Sequence, residues 1–366
     1  MALNKIFVAA TSQHVGKTTS TLGLLSCLRS EGLNTGYCKP VGQQFIDVNN
    51  TRVDKDALLF SSSSEFDLVP ELHSPVILGP GATTAYLDQP TSFHYGNKIL
   101  KASKILQAQY DVVVYEGTGH PGVGSVVGLS NAKVADMLGA GLIMVVEAGI
   151  GNTIDLLELN LSMFEQREIP ILGVIINKAI PAKINKVEHY VGNVLKDRGI
   201  NLLGVLPYDR ELGLPVMHSI VKAINGKVEL NEDRLDNRVM DIIAGSLIDL
   251  REMQEFSNHL LVVSVNRLDE ALKKLEGVFR LVDQEEYPLS GIIITGDAEI
   301  SKEHRETFLQ HRVPVVRAAM DTYEVVIKIS RMEVKINTRT PWKVKKAIEL
   351  FNQHIDLRPV LDSIDN

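Results

Sequence analysis

The feature that most restricts this chain is a short apolar run, residues 5–10, that leads directly into Thr11-Ser12-Gln13-His14-Val15-Gly16-Lys17-Thr18-Thr19. A stretch with leucines at helical spacing, residues 18–30, follows at once. A strand, a turn ending in Gly-Lys-Thr and a helix opening on that turn make a phosphate-binding loop. Backbone N–H groups of the loop and of the helix N-terminus point at phosphate oxygens, Lys17 reaches the β- and γ-phosphates, and the Thr18 hydroxyl suits magnesium. The nucleotide-contacting set is then Thr11, His14, Val15, Gly16, Lys17, Thr18 and Thr19, with Lys17 also catalytic. Thr11 stands where such motifs usually open with glycine. The competing reading is an ordinary strand–helix turn carrying an exposed lysine.

The rest of the first half fits the loop. Strands are expected at 35–41, 112–116, 142–147, 171–177 and 202–206, with helices at 92–110, 156–164 and 182–198 between them. Strands this apolar belong in a parallel sheet covered by helices on both faces, with functional residues at their carboxyl ends. From about residue 216 the rhythm changes. Residues 225–238 are polar and read as surface, and 61–64, a serine run, as a loop. A second alternation follows: strands at 259–265, 291–295 and 314–318, helices at 267–275, 302–311, 322–329 and 341–354. The fold class is therefore α/β: a P-loop NTPase parallel sheet (1–215) followed by a smaller α/β domain (216–366). A length of 366 residues suits two domains, each with its own core.

Composition narrows the function. Hydrophobic residues are 45%, charged residues 23% and the formal net charge is -7, which suits a globular protein and argues against nucleic-acid or anionic-membrane binding. No apolar run reaches bilayer length and no cleavable signal is expected at the N-terminus. Two cysteines, Cys27 and Cys38, make no disulfide framework and no CxxC pair, so a reducing, cytoplasmic location is expected.

The string 11–19, with Lys39-Pro40-Val41 on the next strand, resembles dethiobiotin synthetase, and the likeness runs over roughly the first 210 residues, one large domain. That enzyme phosphorylates a carbamate with Mg-ATP. The resemblance implies that Thr18, Asp56 (of Asp56-Ala57-Leu58) and Glu116 (of Glu116-Gly117) form the magnesium shell. It also implies that Lys39 faces the transferred phosphate or the substrate, and that Asn177 reads the adenine. Gly204-Val205-Leu206-Pro207 would flank the base. Each has a plain alternative: Asp56 as a helix-start carboxylate, Lys39 as a surface lysine, Asn177 as a turn cap. Ser12 replaces the second lysine of partitioning ATPases and argues against that class.

The segment 116–132 departs from the synthetase. It resembles the N-terminal region of long phosphotransacetylases, as do His73-Ser74-Pro75-Val76, Gly79-Pro80-Gly81, Tyr86-Leu87-Asp88 and 148–155. Gly117, Thr118, His120 and Ser125 are its substrate or loop candidates; His120 reads equally as base, donor or loop residue. The second domain resembles the DRTGG domain that follows in those enzymes, through Asn266-Arg267, 292–296, Val313-Pro314-Val315, 321–324 and Lys335-Ile336. Asn266 replaces an aspartate and Asp297 the last glycine, which puts ligand binding there in question. No stretch resembles the acetyltransferase domain, so that activity is not expected. The expected cofactors are ATP and Mg2+. The expected function is a nucleotide-dependent regulator or ATPase working as a homodimer with a partner enzyme. The alternative is an ATP-dependent ligase acting on a small carboxylate or carbamate.

Overall fold

The computed structural model describes residues 3–48, 51–64, 66–245, 258–282 and 287–365. The first part of the chain carries β1 (Lys5–Ala10), β2 (Thr35–Cys38), β3 (Val41–Gly42), β4 (Phe45–Val48), β5 (Thr51–Asp54), β6 (Val76–Ile77), β7 (Val112–Glu116), β8 (Gly141–Glu147), β9 (Ile171–Ala179) and β10 (Leu202–Pro207). A six-stranded sheet of order β10-β9-β8-β1-β7-β2 is parallel at every pairing. Its inner strands are buried almost end to end, and Val112, Val113, Val114 and Tyr115 are all inaccessible. Such strands need cover on both faces, which helices supply. The helices of this part of the chain are α1 (Lys17–Ser30), α2 (Lys55–Ser64), α3 (Pro70–His73), α4 (Ala82–Asp88), α5 (Tyr95–Gln107), α6 (Asn131–Leu138), α7 (Gly151–Glu165) and α8 (Ile184–Asp197).

Two compact units result. One comprises residues 1–209 and 336–366, the other 210–335. Residues 336–366, expected with the second domain, thus return to the first. The reason is apolar burial. The helix α13 (Pro341–His354) hides Ala347, Leu350 and Phe351, and a Cβ added at Gly23 of α1 would lie 2.1 Å from the Phe351 ring. The chain then crosses the edge of the sheet, where Asp356 N–H donates to Leu203 O at 2.8 Å, and ends in α14 (Arg358–Asp365).

The second unit is built from α9 (Met217–Ile224), β11 (Lys227–Leu230), β12 (Asp241–Ala244), β13 (His259–Ser264), α10 (Leu268–Val282), β14 (Leu289–Thr295), α11 (Lys302–Gln310), β15 (Val315–Ala318) and α12 (Thr322–Ser330). The sheet order is β11-β15-β14-β13-β12, with β11 antiparallel and the other pairings parallel.

Two local expectations are corrected, and one pair of strands was not anticipated. The polar stretch 225–238 contains β11 and buries Leu230 and Leu235, because Lys-Val-Glu-Leu alternates with the period of an edge strand. The serine run 61–64 ends α2 rather than forming a loop. There Ser62 Oγ turns back to Leu59 O at 2.9 Å, a helical back-bond that lets serines remain in a last turn. The β4–β5 hairpin was not anticipated, since its two strands are four residues each and half exposed. Among the described residues no helix is long and apolar enough to cross a membrane.

Candidate functional site

The loop after β1 leaves the middle of the sheet, between β7 and β8. Thr11 N–H still donates to Val145 O at 3.0 Å, which extends the ladder one residue past the strand. Gly16 is the N-cap of α1 with φ 108°, a left-handed conformation that a side chain disfavours. A Cβ there would also lie 1.9 Å from Asn177 Nδ2. No side chain caps α1, so the first-turn N–H groups are left for an anion. The Thr11 hydroxyl, buried in the same loop, has no hydrogen-bond partner among the described residues, as a group awaiting a ligand would. Loop and helix start therefore fit a phosphate chain.

Asn177, at the end of β9, sits behind the loop. Its Nδ2 donates to Val15 O at 2.7 Å and its Oδ1 accepts from Lys178 N–H at 2.8 Å. The amide expected to face a base is engaged in holding the loop.

Beside the loop lies a buried charge cluster built from the carboxyl ends of β2, β5 and β7. Thr18 Oγ1 donates to Glu116 Oε1 at 3.1 Å. Lys39 Nζ lies 2.6 Å from Asp56 Oδ2 and 3.1 Å from Glu116 Oε1. Tyr37 O–H donates to Glu116 Oε2 at 3.3 Å, and Asp54 Oδ1 accepts from Asp56 N–H at 2.9 Å. Glu116 is 1% exposed and Lys39 5%. Burial pushes the Glu116 carboxyl above its usual range while Lys39 opposes the shift. Burial likewise drives Asp54 up to about 7, again against Lys39. For Lys39, burial pulls the ammonium down, but Asp56, Glu116 and Asp54 outweigh it and the net direction is up. Lys39 is thus the fixed cation that keeps this pocket from repelling itself.

Lys17 Nζ donates to Gly119 O at 2.8 Å and Ser12 O at 3.4 Å. Gly119 is held in place by Asn131, whose Oδ1 accepts from Thr118 N–H at 3.1 Å and whose Nδ2 donates to Thr118 O and His120 O, both at 2.9 Å. Thr118 Oγ1 donates to Val41 O. Asn131 was missed in the sequence. The signal was Ser130, which caps α6 and so fixes the residue after it at the helix start. Gly117 closes against Asn131 and Phe7, each 3.0 Å from an added Cβ. His120 and Ser125 are exposed and bond within their own loop: His120 Nδ1 accepts from Gly122 N–H at 3.2 Å, and Ser125 Oγ donates to Gly122 O at 2.7 Å. His14 is exposed with φ 60°, and Thr19 is half-buried.

Among the described residues no three His, Cys, Asp or Glu side chains gather as metal ligands. The chain offers the Thr18–Glu116 pair, with Asp56 on the far side of the Lys39 ammonium. A partial oxygen shell of this kind suits Mg2+, which retains water and takes phosphate oxygens. In the second unit Asn266 and Asp297 are exposed at strand ends, Arg317 pairs with Glu229, and Asp321 caps α12 by accepting from Glu324 N–H at 2.8 Å.

Comparison with known proteins agrees with this layout. The AAA domain model AAA_26 matches residues 4–216 and the DRTGG domain model residues 219–332. A phosphate acetyltransferase of Nitratidesulfovibrio vulgaris is 25% identical over 96% of this chain and 50% of its own, and one of Synechocystis sp. is 24% identical over 98% and 51%. The chain spans about half the length of these relatives. An ATP-dependent dethiobiotin synthetase of Thermodesulfovibrio yellowstonii is 27% identical over 56% of this chain and 89% of its own.

Proposed function

Since the chain belongs to the AAA_26 family of P-loop domains and carries a DRTGG domain behind it, we propose that it binds Mg-ATP and acts as a nucleotide-dependent regulator or ATPase. The observation that carries this reading is the meeting of Lys17, Thr18, Lys39, Asp56 and Glu116 beside one uncapped helix start. Magnesium, when bound, neutralises charge on the β- and γ-phosphates. Thr18 Oγ1 and Glu116 would hold it, with Asp56 opposite. Lys17 leaves Gly119 O for the phosphates, and the α1 amides hold the remaining oxygens. Lys39, kept charged by its acids, stabilises negative charge growing on the transferred group. The homodimer and the partner enzyme are part of this proposal. A sedimentation profile showing only monomer at micromolar protein would remove the dimer from it.

A second reading has its own support. A buried ammonium next to the phosphate site suits an ATP-dependent ligase that orients a carboxylate or carbamate, and one relative is a dethiobiotin synthetase. Single-turnover ATP hydrolysis with magnesium, without and with 7,8-diaminopelargonic acid plus bicarbonate, separates the two. The regulator reading expects turnover that the diamine leaves unchanged. Stimulated phosphate release with a ureido product would establish the ligase.

A further inference from the structure

Side chains alternate along a strand, so register decides which residues share a face. Tyr37 pairs with Val114 in the β2–β7 ladder, and Glu116, two residues further on, lies on the same face. Tyr37 is 1% exposed, and its ring stacks on Phe60 of α2 with centroids 4.0 Å apart and planes 16° apart. Strand and stack together leave the phenol little freedom. Its O–H donates to Glu116 Oε2 at 3.3 Å. Burial, and then the neighbouring Glu116 charge, push the phenol's pKa well above its ordinary value, so it keeps its proton and remains a donor.

The two oxygens of Glu116 are therefore occupied differently. Oε1 accepts from Thr18 and from Lys39, each at 3.1 Å, while Oε2 accepts from the phenol. The terminal torsion of a glutamate is broad, so a carboxylate without such partners turns either oxygen, or both, toward a cation. Here Oε1 is the oxygen that meets Thr18, and Oε2 is tied to a buried ring. Magnesium and calcium differ in what they take from such a group. Mg2+ is small, holds a strict octahedral shell and keeps several waters. Ca2+ gathers more oxygens in a looser geometry and accepts both oxygens of one carboxylate.

We propose that Tyr37 is a positioning residue that holds Glu116 as a one-oxygen ligand and so selects Mg2+ over Ca2+ at the nucleotide site. This rests on the Mg-ATP reading above. The hydroxyl acts through Glu116, and its loss frees Oε2 to join Oε1 on the larger ion.

Mg-ATP and Ca-ATP affinities are measured by calorimetry on the full chain and on Tyr37→Phe, with circular dichroism to compare the folds. The substitution keeps the ring and its stack and removes the hydroxyl alone. The unaltered chain binds Mg-ATP tighter than Ca-ATP, and Tyr37→Phe narrows that ratio by about fivefold, the scale of one hydrogen bond. Affinities that stay in the same ratio, whether unchanged or weakened in step, overturn the proposal and leave Tyr37 a packing residue. An unaltered chain that binds Ca-ATP as tightly as Mg-ATP also overturns it, and the nucleotide reading stands. If the unaltered chain binds neither complex, the nucleotide reading has failed and the selection with it.

Discussion

Glu116 shows what a single residue does here. Its carboxylate ends a strand of four buried apolar residues and accepts from a threonine, a lysine and a tyrosine. A buried carboxylate is tolerable only with such partners, and removing the cation leaves it uncompensated. Lys39→Met is therefore expected to destabilise the protein by roughly 3–5 kcal/mol, read from urea unfolding without nucleotide. A change under about 1 kcal/mol, the range of exposed pairs, would place Lys39 outside the buried network. Glu116 and Lys39 stood out in the sequence because a charge closing an apolar strand, or just past its end, is conspicuous, whereas Asp56 was singled out by the resemblance to dethiobiotin synthetase alone. Asn131 and Asn177 were harder, since an asparagine's role depends on which backbone groups the fold brings to it. His73 carries a pH prediction. Its ring is buried, Nδ1 lies 3.0 Å from Val69 N, Nε2 has no hydrogen-bond partner among the described residues, and burial lowers its pKa below the ordinary value. The neutral form is favoured in the fold, so this contribution is present above about pH 6.5 and lost as pH falls. Melting temperature should drop between pH 7.5 and 5.5, and His73→Gln should flatten that slope. An identical slope in the variant would assign the effect elsewhere.

At the scale of elements, the phosphate loop is a junction of one strand, one turn and one helix, and its geometry depends on Gly16. The positive φ and the close Asn177 amide exclude a side chain for two independent reasons. Gly16→Ala should weaken Mg-ATP binding by on the order of a hundredfold while the far-ultraviolet circular dichroism is kept. Unchanged affinity would show that the loop takes another shape when it binds. The strand–loop–helix junction was readable because its pattern of burial, turn and helix spacing is local. The β4–β5 hairpin was not, because its two strands are short and partly exposed, so neither carries a strong periodic signal.

The whole molecule departs from a simple two-domain string. The chain leaves the phosphate-loop unit at residue 209 and returns at 336, so that α13 packs on α1. Lys346 pairs with Asp209 at 3.3 Å, which fixes the point of exit to the returning helix. Nothing local in 341–354 reveals this. Its amphipathic pattern predicted a helix correctly, but a helix does not announce which apolar surface it will cover. Phe351→Ala should cost about 3–5 kcal/mol and lower the thermal transition of the nucleotide unit. A loss confined to the second unit would contradict the returning packing. Loop 11–19 and Glu116 are proposed to bind a nucleotide together through magnesium. ATP is titrated into the full chain with magnesium, with EDTA in its place, and into Glu116→Gln with magnesium. Saturable binding is expected that EDTA abolishes and Glu116→Gln weakens at least tenfold, about 1.4 kcal/mol. Binding that ignores both magnesium and the substitution would contradict the proposal.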